Sequence, residues 1–226
     1  MFPQNHINKI SSLIIGENYR IYPSSVTQTE VFIVKSPADE NVLYSSANTL
    51  SFNPILFISE GIYVTTNGGN SWQGSDTCNG DFIDFHGGDP GITIDKNGTF
   101  ILTRLGRTPF EGVLFSHFST DNGLTWSPQK TISTDDLERA IITTDAITTS
   151  LFYGRTYATW VKLSTPFSVV FSFTNDGAQS WSTPPIQINN PTNRSAGGDI
   201  TIGPNGEVYI CWAGLTNTSP FKEIFV

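Results

Sequence analysis

Three stretches decide the fold: Thr65-Thr66-Asn67-Gly68-Gly69-Asn70-Ser71-Trp72, Ser119-Thr120-Asp121-Asn122-Gly123-Leu124-Thr125-Trp126 and Thr174-Asn175-Asp176-Gly177-Ala178-Gln179-Ser180-Trp181. Each opens on Ser or Thr, places Asp or Asn two residues later and ends on Trp five residues after that. Positions 67, 121 and 176 are separated by 54 and then 55 residues, so the unit recurs at a near-constant period. The chemistry of each unit is that of a clamp. An Asp or Asn side chain accepts hydrogen bonds from the backbone N–H groups of its own turn, and glycine supplies the positive φ that a tight turn needs. The hydroxyl braces the acidic or amide side chain, and the Trp ring packs back against the sheet. Two copies depart from the pattern. Asn67 stands for Asp, and Ala178 takes the place of Gly69 and Gly123, with Gly177 one position early. Slightly altered turns are expected there.

A second repeat runs in phase with the first. Gly88 to Asp95, an Asn97-Gly98 turn and Thr99 to Thr103 read as strand, turn, strand. Gly198 to Gly203, the turn Pro204-Asn205-Gly206 and Glu207 to Trp212 repeat this 110 residues on, two periods later. Together the repeats predict an all-β chain: a β-propeller of four-stranded antiparallel blades at roughly 26–80, 87–134, 139–190 and 196–226. Residues 1–25 are an N-terminal extension, and 1–226 form a single, incomplete propeller domain of about 3.5 blades belonging to a six- or seven-bladed ring. Two readings explain the incomplete ring. The residues belong to a longer chain, or Ile7 to Ile15 supply the outer strand of the fourth blade and close a small ring.

Composition narrows the functions. A net charge of −8 with twelve Lys and Arg repels phosphate backbones and anionic lipid, so nucleic acid is not an expected partner. No stretch approaches the ~20 apolar residues of a membrane span. Cys78 and Cys211 lack metal-type spacing and read as unpaired thiols. Asp95-Lys96-Asn97-Gly98 resembles a calcium loop for four residues but lacks the later ligands, so neither a metal nor a cofactor is expected. Low charge with abundant Asn, Thr and Ser suits an extracellular or cell-surface protein.

The phased clamps resemble the Asp-box, or bacterial neuraminidase repeat, of the sialidase-like propellers, over residues 26 to about 212. The resemblance implies that the boxes lie on the face opposite a ligand site and that the partner is a carbohydrate or glycoconjugate. Some relatives of this type are scaffolds, which leaves a protein partner as an alternative. A true sialidase would need three arginines on the substrate carboxylate, a Tyr-Glu nucleophile and an aspartate acid/base. Tyr19-Arg20-Ile21-Tyr22-Pro23 resembles the family's Arg-Ile-Pro element with Tyr22 inserted, which makes Arg20 a candidate clamp on the substrate. The acid/base aspartate has no convincing counterpart, and the remaining catalytic residues would lie on blades beyond Val226. Three functions therefore stand: a carbohydrate-recognising propeller, an exo-sialidase and a non-catalytic protein-binding scaffold.

In a four-stranded meander the first and third turns share one face, and the other face carries the funnel. Asp89 and Asp199 lie in the partly repeated segments His86-Gly87-Gly88-Asp89 and Ala196-Gly197-Gly198-Asp199. They are read either as acid/base or hydrogen-bonding groups near the axis, or as braces for the start of the inner strand. His86 is the better-placed histidine, whereas His117 reads as a sheet residue. Arg104 and Arg107, assigned to a loop, either grip an anionic sugar or pair with Glu111. Tyr153 and Arg155, assigned to the start of an inner strand, either stack on a sugar or pack in the core.

Overall fold

The computed structural model describes residues 17–52, 55–78, 86–107, 112–189, 194–216 and 219–225; Ile7 to Ile15 and Glu111 lie outside them. Among these residues there is no helix, and so none long and apolar enough to cross a membrane. The strands form four antiparallel sheets in chain order. The first holds β1 (Thr27–Lys35), β2 (Leu43–Phe52), β3 (Ile55–Thr65) and β4 (Gln73–Ser75). The second holds β5 (Gly88–Ile94), β6 (Phe100–Arg107), β7 (Gly112–Ser119) and β8 (Lys130–Ser133). The third holds β9 (Ile141–Thr144), β10 (Thr156–Val161), β11 (Val169–Thr174) and β12 (Ile186–Gln187). In the fourth, β13 (Arg194–Ile202), β14 (Val208–Thr216) and β15 (Ser219–Phe225) pair in sequence. The first strands of successive sheets lie side by side, β1 on β5, β5 on β9 and β9 on β13, so each sheet is a blade of a β-propeller with its first strand innermost.

The three Trp-ended turns join the third and fourth strands of their blades and share one bonding scheme. The oxygen at 67, 121 or 176 accepts the hydroxyl of Thr65, Ser119 or Thr174 at 2.9, 2.7 and 2.7 Å. The same oxygen accepts the backbone N–H of Ser71, Thr125 or Ser180 at 2.9, 2.9 and 3.0 Å. The two departures cost no bonds. Ala178 adopts φ 69°, the left-handed conformation of Gly69 and Gly123, and its N–H reaches Thr174 Oγ1 at 3.1 Å as theirs reach Thr65 and Ser119. Asn67 reverses one bond: its Nδ2 donates to Ser71 Oγ, where Asp121 and Asp176 accept from Thr125 and Ser180. Gly68 donates to the Asn41 carbonyl, which fixes the third turn of blade one beside its first turn.

Core formation is concentrated in the seams between blades. Trp126 packs with Tyr44, Ile62 and Val64 of the first blade and with Phe100 and Leu102 of its own. In the next seam Trp181 packs against the buried cluster that holds Ile101, Leu114 and Ala158 and donates its indole N–H to Ser116 Oγ at 2.8 Å. The second and third clamps thus reach back onto the preceding blade. Burying each large apolar side chain contributes about 1.5–3 kcal/mol.

Candidate functional site

Three of the four inner strands bulge near the end remote from the clamps. The pairing skips two residues at Glu30-Val31 in β1, at Asp89-Pro90 in β5 and at Gly197-Gly198 in β13. The first residue of each bulge is left-handed, with φ of 53° at Glu30, 54° at Asp89 and 59° at Gly197. Two are non-glycine, and such strain concentrates where the surrounding structure uses it. The bulges aim side chains into a cavity of about 470 Å³ lined by Glu30, Asp89, Glu138, Arg139, Val161 and Ala196 to Gly198.

Glu30 and Asp89, from neighbouring blades, line the cavity together, close enough for the Asp89 charge to act on Glu30. Partial burial, then the neighbouring Asp89 carboxylate, hold the Glu30 carboxyl above its usual range, while Arg139 acts in the opposite sense. Arg139 Nη1 lies 3.7 Å from Glu30 Oε2, and its guanidinium sits 5.0 Å over the Phe32 ring. Asn48 of β2 holds Asp89 through both its amide atoms: Oδ1 accepts the Asp89 N–H at 2.9 Å, and Nδ2 donates to Oδ1 at 3.4 Å. Three carboxyl groups and one guanidinium line the cavity among the described residues, leaving it electronegative.

The expected residues distribute unevenly around this site. Asp89 is in it, at the bulge rather than before the strand. Asp199 is not its equivalent. Asp199 pairs with Cys211 as Gly91 pairs with Thr103, two residues further along the strand than Asp89. The two extra residues Pro90 and Gly91 before Ile92-Thr93-Ile94 displace the apparent repeat. A Cβ on Gly91 would lie 2.7 Å from the Ala140 carbonyl oxygen of the next blade, so only glycine fits there. Asp199 itself is exposed and bonds its oxygen to the N–H of Ile200.

His86 supports the bracing role. Its Nδ1 lies 2.7 Å from Glu60 Oε2 and 3.1 Å from Ser59 Oγ, while Glu60, fully buried on β3, accepts the Gly88 N–H at 3.0 Å. That set fixes the start of β5, and hence the Asp89 bulge. Arg104 and Arg107 lie in strand β6, not in a loop. Arg104 is completely buried, donates to His117 Nε2 at 3.0 Å and Gln129 Oε1 at 2.9 Å, and stacks on Phe115. Burial first, and Arg104 beside it, depress His117 to about 4 against a weaker upward pull from its bond to Ser127, so it is a neutral sheet residue.

Arg155 precedes β10, the second strand of its blade, on the clamp face: its Nε donates to Asn175 Oδ1 of the third clamp, and its guanidinium stacks between Phe152 and Phe173. Arg20 is exposed and does not line the cavity; its neighbour Tyr19 donates to the Gly69 carbonyl in the first clamp turn. Glu30, Asn48 and Glu60 were missed in the sequence. Glu60 interrupts an apolar strand, which is a readable signal, but Glu30 becomes legible only once the bulges are aligned.

No family model matches the sequence, and no curated protein sequence matches it. Solved structures do. A protein of unknown function from Dyadobacter fermentans is similar at TM-score 0.65 and 14% identity, over 89% of this chain and 61% of that one. A Penicillium chrysogenum alpha-L-arabinanase complexed with arabinobiose gives 0.59 and 15%, over 85% and 59%. A leech intramolecular trans-sialidase complexed with 2,7-anhydro-Neu5Ac gives 0.61 and 11%, over 91% and 50%. The chain spans between half and about three-fifths of the length of these structures. The likeness establishes a β-propeller fold shared with carbohydrate-active enzymes.

Proposed function

We propose that this propeller recognises a neutral carbohydrate in the cavity at its inner-strand bulges, in an extracellular or cell-surface setting. The carrying observation is the cavity that brings Glu30 and Asp89, from neighbouring blades, together with Arg139. Carboxyl oxygens in fixed positions accept sugar hydroxyls, and a guanidinium donates to ring or hydroxyl oxygens. An anionic sugar meets three carboxyl groups there and one arginine already engaged by Glu30. Arg20, Arg104 and Arg155 do not line the cavity, which weakens the sialidase reading. Recognition is proposed rather than hydrolysis.

Calorimetric titration tests the reading with a panel of neutral disaccharides, including arabinobiose, and 3'-sialyllactose. A neutral member should bind more tightly than the sialoside, and Glu30→Gln with Asp89→Asn should weaken it by about tenfold or more, the loss of one to two charge-assisted hydrogen bonds. Preference for the sialoside, or affinity indifferent to both substitutions, would overturn it.

A further inference from the structure

The three inner-strand bulges are built alike from different residues, and the difference falls on the cavity. The skipped positions are Glu30-Val31 in the first blade and Asp89-Pro90 in the second, but Gly197-Gly198 in the fourth. Backbone conformation does not require these glycines. Glu30 and Asp89 hold φ of 53° and 54° where Gly197 holds 59°, and Gly198 lies outside the left-handed region. Packing does not require them either. Among the described residues a Cβ at Gly197 meets no atom within 4 Å, and one at Gly198 meets only the Cys211 carbonyl oxygen, at an ordinary 3.8 Å. Gly91 is the contrast, since a Cβ there would fall 2.7 Å from the Ala140 carbonyl oxygen. Where the first two blades line the cavity with carboxyl side chains, the fourth lines it with bare main chain, exposed at Gly197 and half-buried at Gly198. A bulge also takes peptide groups out of the ladder. Strand glycines that neither conformation nor packing explains mark a place where a ligand approaches the backbone closely.

We propose that Gly197-Gly198 is the specificity-determining wall of the cavity, free of side chains so that a second sugar ring lies against it. The inference rests on the carbohydrate reading of the cavity. One ring is held by Glu30, Asp89 and Arg139, which come from the first three blades. The next ring sets its C–H face toward Val161 and Ala196 and its hydroxyl groups against the Gly197-Gly198 peptide groups. The ligand class is therefore a neutral disaccharide, or the end of a longer neutral chain. A side chain at 197 or 198 excludes the second ring and spares the first. At about 470 Å³ the cavity falls within the range of about 300–1,000 Å³ typical of small-molecule sites.

Calorimetric titration with cellobiose, maltose, lactose and xylobiose, each against its constituent monosaccharides, tests the wall in the parent chain, Gly197→Asn and Gly198→Val. Asn accepts a left-handed φ and Gly198 does not need one, so both variants should melt close to the parent. The parent should bind at least one disaccharide about tenfold or more tightly than its monosaccharides. Each variant should weaken that disaccharide by about tenfold or more and change monosaccharide affinity by less than about twofold. Folded variants that bind the disaccharide as the parent does, or that lose disaccharide and monosaccharide in step, would overturn the wall and leave the carbohydrate reading standing. So would a parent that binds both sugar sizes equally. Unfolding of both variants would overturn it too, because the backbone itself would then require glycine. A parent that binds none of these sugars would overturn the wall and the carbohydrate reading together.

Discussion

Glu30 and Asp89 occupy the same position in successive blades, the first residue of the inner-strand bulge, with φ of 53° and 54°, and both line one cavity across the blade boundary. Two independent bulges are needed to bring them together, because regular strands would send neighbouring side chains to alternate faces. The pair is a property of the assembled propeller and of no single blade.

The raised Glu30 pKa has a consequence for stability. A carboxyl group whose folded pKa exceeds its unfolded value contributes stability below the unfolded pKa, near 4.5, and loses it as the pH rises through the folded value. Asp89→Asn removes the repelling charge, so the variant should equal the parent near pH 4 and gain on it near pH 7. The gain should stay below about 1 kcal/mol because Glu30 remains half exposed to water. Denaturant melts at the two pH values measure it.

His117 gives the opposite slope. Its Nε2 accepts from Arg104, and its Nδ1 donates to the Ser127 carbonyl at 2.9 Å, so the neutral ring is fixed between cation and carbonyl. With a folded pKa of about 4 against 6.5, it contributes stability above pH 6.5 that is lost as the pH falls through about 4. The loss should be on the order of 3 kcal/mol. His117→Gln, which keeps an acceptor and a donor but does not titrate, should flatten the chain's acid denaturation profile between those values.

The clamps offer a paired test. Asp121→Ala leaves the Thr125 N–H and hydroxyl and the Ser119 hydroxyl without their acceptor, and should cost about 1–2 kcal/mol in denaturant unfolding. Asn67→Asp should be neutral or stabilising by up to about 0.5 kcal/mol, since Ser71 Oγ can turn to donate as Thr125 and Ser180 do.

Trp181 carries more than its clamp, because its ring is packed into the preceding blade and its N–H bonds Ser116. Trp181→Ala should destabilise by about 3–5 kcal/mol, and Trp181→Phe should recover most of the packing but not the hydrogen bond.

The clamp spacing was enough to read the blades, because each clamp is local: a hydroxyl, an acid or amide and a ring within eight residues. The site was less legible because it is not local. Asp89 could be singled out, but Asp199 was matched to it through a shared Gly-Gly-Asp that the bulge register separates by two residues. Glu30 has no motif around it at all. Arg104 and Arg107 looked like loop residues because charges punctuate an otherwise apolar strand, and only burial against His117, Gln129 and Phe115 explains a guanidinium at position 104. Arg155 was read at the start of an inner strand, whereas it closes the long turn from Asp145 and precedes β10, the second strand of its blade.

Chemical-shift mapping during titration with neutral disaccharides tests the central assignment most directly. Perturbations confined to Glu30, Asp89, Arg139 and Ala196 to Gly198 are the predicted result. Perturbations centred on the clamp turns or on Arg155, with the bulge residues silent, would contradict it.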